Sequence, residues 1–123
     1  MLLKNLYKIQ SFSFKEGKIE SEIFINKDHE IFKGHFPGNP VMPGVCMIQI
    51  IKELTEKALN KHLFMEKSSN IKFMALINPE VNNTLVLSLD VREDDDRFKV
   101  KNTTKMEDTL ALKFNGIYKE VSV

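Results

Sequence analysis

Only one stretch of this chain reads as a long helix, and that constrains the fold more than any other feature. Met47, Ile48, Ile50, Ile51, Leu54, Ala58 and Leu59 recur at helical spacing, and every residue from Val45 to Ile51 except Gln49 is apolar. A helix so hydrophobic through its first two turns is expected to be enclosed, not half in water, with charge returning only at Lys52, Glu53, Glu56 and Lys57. The other segments alternate with a period of two. Leu6 to Phe14 and Lys18 to Ile25 precede the helix, joined near Glu16-Gly17, with Ile19, Ile23 and Ile25 on one face. After it, Ile71, Phe73, Ala75 and Ile77 alternate. Leu85, Leu87, Leu89 and Val91 then alternate with Val86, Ser88, Asp90 and Arg92, and Asn82-Asn83 supplies the turn between the two runs. Phe98 to Asn102 and Leu110 to Phe114 follow, and Asn115-Gly116 signals a two-residue hairpin into a last strand, Ile117 to Val121. Two strands, one helix and then strands alone predict an α+β fold: a single antiparallel sheet of about six strands whose apolar face that helix covers.

A chain of 123 residues is expected to form one domain over 1–123. Its net charge of +1 argues against a global nucleic-acid-binding surface, so any acidic partner must be met by a local patch. There is no run of about 18 apolar residues to span a membrane. Met1-Leu2-Leu3 is followed at once by Lys4 and Asn5, so no signal-peptide core is expected and the location is expected to be cytoplasmic. Cys46, the single cysteine, cannot form an internal disulfide and reads as a small buried hydrophobe.

Chemistry points to the segment Gly34-His35-Phe36-Pro37-Gly38-Asn39-Pro40-Val41-Met42-Pro43-Gly44-Val45, which holds three of the four prolines and three of the five glycines around one histidine. Each proline fixes its φ and restrains the residue before it, while each glycine permits a close approach. Pro43-Gly44 marks the helix start, whose first backbone N–H groups have no partner within the helix and point back toward His35. Gln49, the polar residue in the apolar turns, lies fourteen positions after His35 and is expected to face the same cavity. A glutamine bonded to nearby backbone in a tight core is the alternative.

The sequence His35-Phe36-Pro37-Gly38, then Pro40, then Met42-Pro43-Gly44-Val45, resembles the signature of the beta-hydroxyacyl-[acyl carrier protein] dehydratases of fatty acid synthesis, which have the hotdog fold. Lys72-Phe73, Asn78-Pro79-Glu80 and Leu85-Val86-Leu87 resemble the strands that follow in that family. The resemblance implies a curled sheet wrapped around a central helix, and two subunits paired edge to edge. It also implies a site at the dimer interface, with the histidine of one subunit opposite an acidic helix residue of the other. Carried over, His35 would remove the C2 proton of a 3-hydroxyacyl thioester and the Gly44 N–H would hold the thioester oxygen as enolate charge develops. Phe36, Pro37, Gly38, Met42, Pro43, Val45 and Ile48 would bind substrate, and Met47 could join them along an acyl channel. The implied partners are acyl carrier protein or an acyl-CoA thioester, and a second copy of the chain in a homodimer or a trimer of dimers. No cofactor, metal, nucleic acid or membrane span is implied.

One departure stands out. The family's acidic residue belongs where this chain has Gln49, and the glutamine usual one turn later is here Glu53. An amide can orient a hydroxyl or a water but cannot deliver a proton. The resemblance therefore leaves three readings open: a dehydratase-like hydro-lyase of lipid or polyene biosynthesis, an acyl-thioester hydrolase in which Gln49 orients water, and a non-catalytic acyl-thioester binder. Glu53 is an auxiliary candidate, expected to be structural or remote from the substrate. Elsewhere, His29 beside Asp28 and Glu30 is expected to pack a loop and not to bind metal, and Glu93 to Asp96 to form a solvated turn.

Overall fold

The computed structural model describes residues 4–33 and 40–122. Strands β1 (Tyr7–Lys15) and β2 (Lys18–Ile25) precede a short 3₁₀ turn, Glu30–Phe32, and the helix α1 (Gly44–Leu59); β3 (Leu63–Phe73), β4 (Thr84–Asp94), β5 (Arg97–Met106) and β6 (Thr109–Glu120) follow. All pair antiparallel in one six-stranded sheet, in the order β1-β2-β4-β5-β6-β3. Because β2 neighbours β4 while β3 lies at the far edge beside β6, α1 carries the chain from one side of the sheet to the other. This is the hotdog arrangement that the sequence predicts.

Alternation sorts the two faces of the sheet. Ile19, Ile23, Ile25, Leu85, Leu87, Leu89, Val100 and Phe114 are buried and meet Met47, Ile50, Ile51 and Leu54 of the helix in one core. Each such side chain contributes on the order of 1.5–3 kcal/mol when taken out of water, which is what keeps the sheet against α1. Buried Asn102 satisfies its amide on the carbonyls of Ser88 and Thr103, both at 3.2 Å, and accepts from the Thr104 hydroxyl at 3.1 Å. The β1–β2 turn places Glu16 and Gly17 at φ 52° and 77°. A Cβ on Gly17 would stand 2.8 Å from the Val91 carbonyl oxygen, so glycine is required there.

Several local expectations are corrected. The strand expected over Ile71 to Ile77 is β3, which begins at Leu63 and ends at Phe73. Its middle, Glu66 to Asn70, is polar and lies at the sheet edge, with register shifts between Met65 and Lys67 and between Ser69 and Lys72, so it carries no period; beyond the strand, Met74 and Ala75 both donate to the Ala111 carbonyl (2.8 and 3.3 Å) and the regular ladder stops. Asn82-Asn83 is not the turn between neighbouring strands, since β3 pairs with β6 and β4 with β2 and β5. The turn instead lies at Asn78, whose backbone carbonyl accepts from Val81 and Asn82 and whose side chain accepts from Glu80 N. Asn115-Gly116 is no hairpin but the middle of β6, and the hairpin falls at Glu107-Asp108, with Glu107 at φ 53°. Gly116 serves packing: a Cβ there would sit 2.6 Å from Cζ of buried Phe114. Finally, β4 is interior, so the open edges of the sheet are β1 and β3.

Candidate active site

The helix start is built as the sequence predicts. Pro43 is the N-cap, with φ −63° and ψ 141°, and its carbonyl accepts from Cys46 N at 3.0 Å. No side chain caps this end among the described residues, and no acidic residue lies in the first turn, so the Gly44 end keeps its partial positive charge for a ligand. Met42 N donates to the Ile77 carbonyl at 2.8 Å, which fastens the approach to the helix onto the segment after β3. Between them lies an apolar cavity of about 300 Å³ bordered by Met42, Pro43, Gly44, Met47, Phe73 and Ile77. A larger hollow of about 410 Å³ opens on the outer face of the sheet, where Lys18, Glu20, Lys101 and Lys113 make it polar and remote from these groups.

The expected site residues divide into three groups. His35, Phe36, Pro37 and Gly38 lie outside the described residues. Met42, Pro43 and Gly44 border the cavity, and so do Phe73 and Ile77, which were not expected to line the site. The alternation of Phe73, Ala75 and Ile77 was visible in the sequence, but only the Met42–Ile77 bond reveals which side of the helix they reach. Val45, Ile48 and Gln49 do not border it.

The expectation of a fully enclosed helix start is corrected by the same three residues: Val45 is 61% exposed, and Ile48 and Gln49 are half-buried. At about 100° per residue, Gln49 points some 140° away from Gly44 around the helix axis, so within one chain the two do not share a cavity. Gln49 lies instead on a half-open face with Val45, Ile48, Lys52 and Glu53.

On that face the exchanged pair is bonded. Gln49 Nε2 donates to Glu53 Oε2 at 3.0 Å, and the Tyr7 hydroxyl donates to Glu53 Oε1 at 2.6 Å. Burial first, then the bond to Glu53 and its charge, push the Tyr7 phenol far above the ordinary tyrosine range, so Tyr7 is a fixed donor. The thiol of Cys46, buried in the first turn, is also pushed up by burial, which disfavours the nucleophilic thiolate. His29 has both ring nitrogens engaged: Nδ1 accepts from Ile31 N at 3.0 Å and Nε2 donates to the Lys4 carbonyl at 2.9 Å.

Comparison with protein families matches residues 10–112 to the ApeI-like family, described as ApeI dehydratase. The chain belongs to the ApeI-like dehydratase family. Among curated relatives, the 3-hydroxyacyl-[acyl-carrier-protein] dehydratase FabZ of Lactobacillus helveticus is 34% identical over 91 residues, 68% of this chain and 61% of that protein. FabZ of Rickettsia bellii is 31% identical over 101 residues, covering 74% of this chain and 69% of that one. The chain spans 61% of the length of the Lactobacillus protein and 55% of the length of FabZ from two strains of Caulobacter vibrioides. A solved structure described as the dehydratase heterocomplex ApeI:P from Xenorhabdus doucetiae superposes with a TM-score of 0.80 at 18% identity, covering 92% of this chain and 97% of that one. The E. coli PaaI protein, at 15% identity and TM-score 0.69, covers 98% and 83%. At these identities the structures establish the hotdog fold.

Proposed function

We propose that this ApeI-like chain dehydrates 3-hydroxyacyl thioesters carried by acyl carrier protein or coenzyme A, as a homodimer in which each site is shared between protomers. The observation that carries this is the divergence of Gly44 and Gln49 around one helix: a site that uses both must draw them from two copies. Open apolar surface lies where such a pairing needs it. Phe73, Met74 and Leu76 are 55%, 55% and 75% exposed at the end of edge strand β3, next to the Gly44 cavity.

In this reading the acyl chain enters the apolar cavity and the thioester oxygen meets the Gly44 N–H at the positive end of α1. His35 takes the C2 proton as base, a role suited to a side chain that titrates near neutrality. The C2–C3 double bond forms as the C3–O bond breaks, and the hydroxide leaves as water by taking back from His35 the proton that came from C2, which returns the imidazole to its neutral form. Gln49 of the other protomer holds that hydroxyl but cannot supply the proton, so slow dehydration is expected, by about 10²- to 10⁴-fold against a site with a general acid. Location in the cytoplasm accords with such substrates; among the described residues no helix is long and apolar enough to cross a membrane.

The test is to offer purified protein a 3-hydroxyacyl thioester and the matching saturated acyl thioester. Appearance of the enoyl thioester supports the proposal. Release of free thiol from the saturated substrate would favour the hydrolase. Binding without either product would favour the carrier-binding reading. Dehydration only when a second, different dehydratase-like chain is added would replace the homodimer with a heterocomplex of the kind described for the Xenorhabdus relative.

A further inference from the structure

Glu53 is not a displaced catalytic acid, because both of its oxygens are already committed as acceptors. Oε1 takes the Tyr7 hydroxyl at 2.6 Å and Oε2 takes the Gln49 amide at 3.0 Å. The first bond links the start of β1 to the middle of α1 across 46 positions of sequence. It fixes the carboxylate against the helix instead of leaving it to swing in solvent. The second bond then fixes the amide. A carboxylate oxygen can face only the NH₂ side of a glutamine, so Gln49 cannot rotate its amide by half a turn without setting oxygen against oxygen. Its carbonyl Oε1 is thereby turned away from Glu53.

We propose that Tyr7 and Glu53 are positioning residues which, through this two-bond chain, set Gln49 to present an acceptor, its carbonyl oxygen, to the 3-hydroxyl of the substrate. The proposal deepens the function proposed above and rests on its reading of Gln49 as the substrate-facing residue. An acceptor at that place binds the O–H of a hydroxyl, and it holds the C3–O bond in one orientation relative to C2–H. It explains why the amide and the carboxylate occur together in exchanged order: the carboxylate has become the part that orients, and the amide the part that touches.

The experiment is a set of double-mutant cycles on the dimer with a 3-hydroxyacyl thioester, read together with the side-chain amide signals of Gln49 in ¹⁵N-edited NMR. Tyr7→Phe and Glu53→Leu are each expected to lower kcat severalfold with little change in KM. Neither should lower kcat further once Gln49 is Leu, because both act through Gln49. In the NMR spectrum the Gln49 side-chain signals should shift with Tyr7→Phe and lose their distinct position with Glu53→Leu. If Glu53→Leu does not fold, Glu53→Gln, which keeps one acceptor, is read the same way and should fall between the two.

Losses that multiply in the Gln49→Leu background, or Gln49 signals indifferent to Tyr7 and Glu53, would overturn the positioning role while leaving the proposed reaction standing. A Gln49→Leu protein that turns over like the parent would overturn both the role and the reading of Gln49 beneath it. Absence of dehydration in the parent, with the NMR shifts as expected, would remove the proposed reaction but keep the chain from Tyr7 to Gln49.

Discussion

The ring of Phe73 lies directly over Gly44: a Cβ on this glycine would stand 2.6 Å from Cζ and 3.1–3.2 Å from the adjacent ring carbons. Phe73 is 55% exposed, so its ring has somewhere to go. Gly44→Ala should therefore fold with a stability change of under about 1 kcal/mol, yet displace the ring that borders the apolar cavity. Acyl-thioester binding, measured by titration calorimetry, should weaken, and it should recover in the Gly44→Ala, Phe73→Ala double variant. Recovery failing there would mean that the amide itself was misplaced.

Gly116 sets the opposite case. Its missing Cβ would fall 2.6 and 2.8 Å from ring atoms of Phe114, which is 1% exposed and has no free space to enter. Gly116→Ala is expected to destabilise the fold by about 1–3 kcal/mol, the cost of overpacking a filled core, as read from urea unfolding.

His35→Ala should abolish turnover, by at least about 10²-fold, without lowering the melting temperature by more than a degree or two. A base in a Pro/Gly-stiffened segment serves reaction more than stability. Unchanged turnover would remove the histidine from the mechanism.

The two halves of the exchanged pair are expected to answer differently. Gln49→Glu sets a second carboxyl beside Glu53, and like charge at that distance favours keeping one proton. It also puts an acid where the sequence resemblance implies one, so dehydration by the proposed mechanism should speed up. Glu53→Gln should cause a loss of only severalfold. If the first leaves the rate unchanged and the second eliminates it, the acid has moved one turn along the helix.

Light scattering at micromolar concentration should give the mass of a dimer. Leu76→Asp, at a residue 75% exposed beside the open edge, should halve it without loss of β-sheet circular dichroism. A monomeric parent protein would contradict the shared site.

Alkaline unfolding tests the buried phenols. Burial raises both Tyr7 and Tyr118, with the Glu53 bond and charge adding to the first and the charge of Glu56 to the second. A folded-state value above the unfolded one, about 10, means that their stabilising contribution is whole below pH 10 and is lost as pH climbs beyond it. Urea midpoints should fall above that pH, and the fall should be shallower in Tyr7→Phe.

Sequence patterning exposed the parts of this fold whose two faces differ. β2 and β4 alternate buried and exposed along most of their length, and the spacing of Ile50, Ile51 and Leu54 defines the buried face of α1. The polar middle of β3 and the join inside β6 were not legible, because this edge segment carries no period and Gly116 makes room for the ring of Phe114 two residues before it in the same strand, not for a turn. The helix start was legible because proline and glycine act on their own backbone. Bonds such as that of Tyr7 to Glu53 join residues whose spacing carries no signal; only the folded sheet brings β1 to the helix.

His29 ties the Lys4 carbonyl to the turn at Ile31, Asn26 Nδ2 bonds the Asn5 carbonyl at 2.9 Å, and Asn26 N bonds that of Leu6 at 2.8 Å. The residues just before Tyr7 are thus stitched to the stretch from which the His35 segment departs. Shortening the chain by its first five residues would remove the Lys4 and Asn5 carbonyls and loosen at once the anchor of Tyr7 and the turn at Ile31, though neither lies among the residues removed.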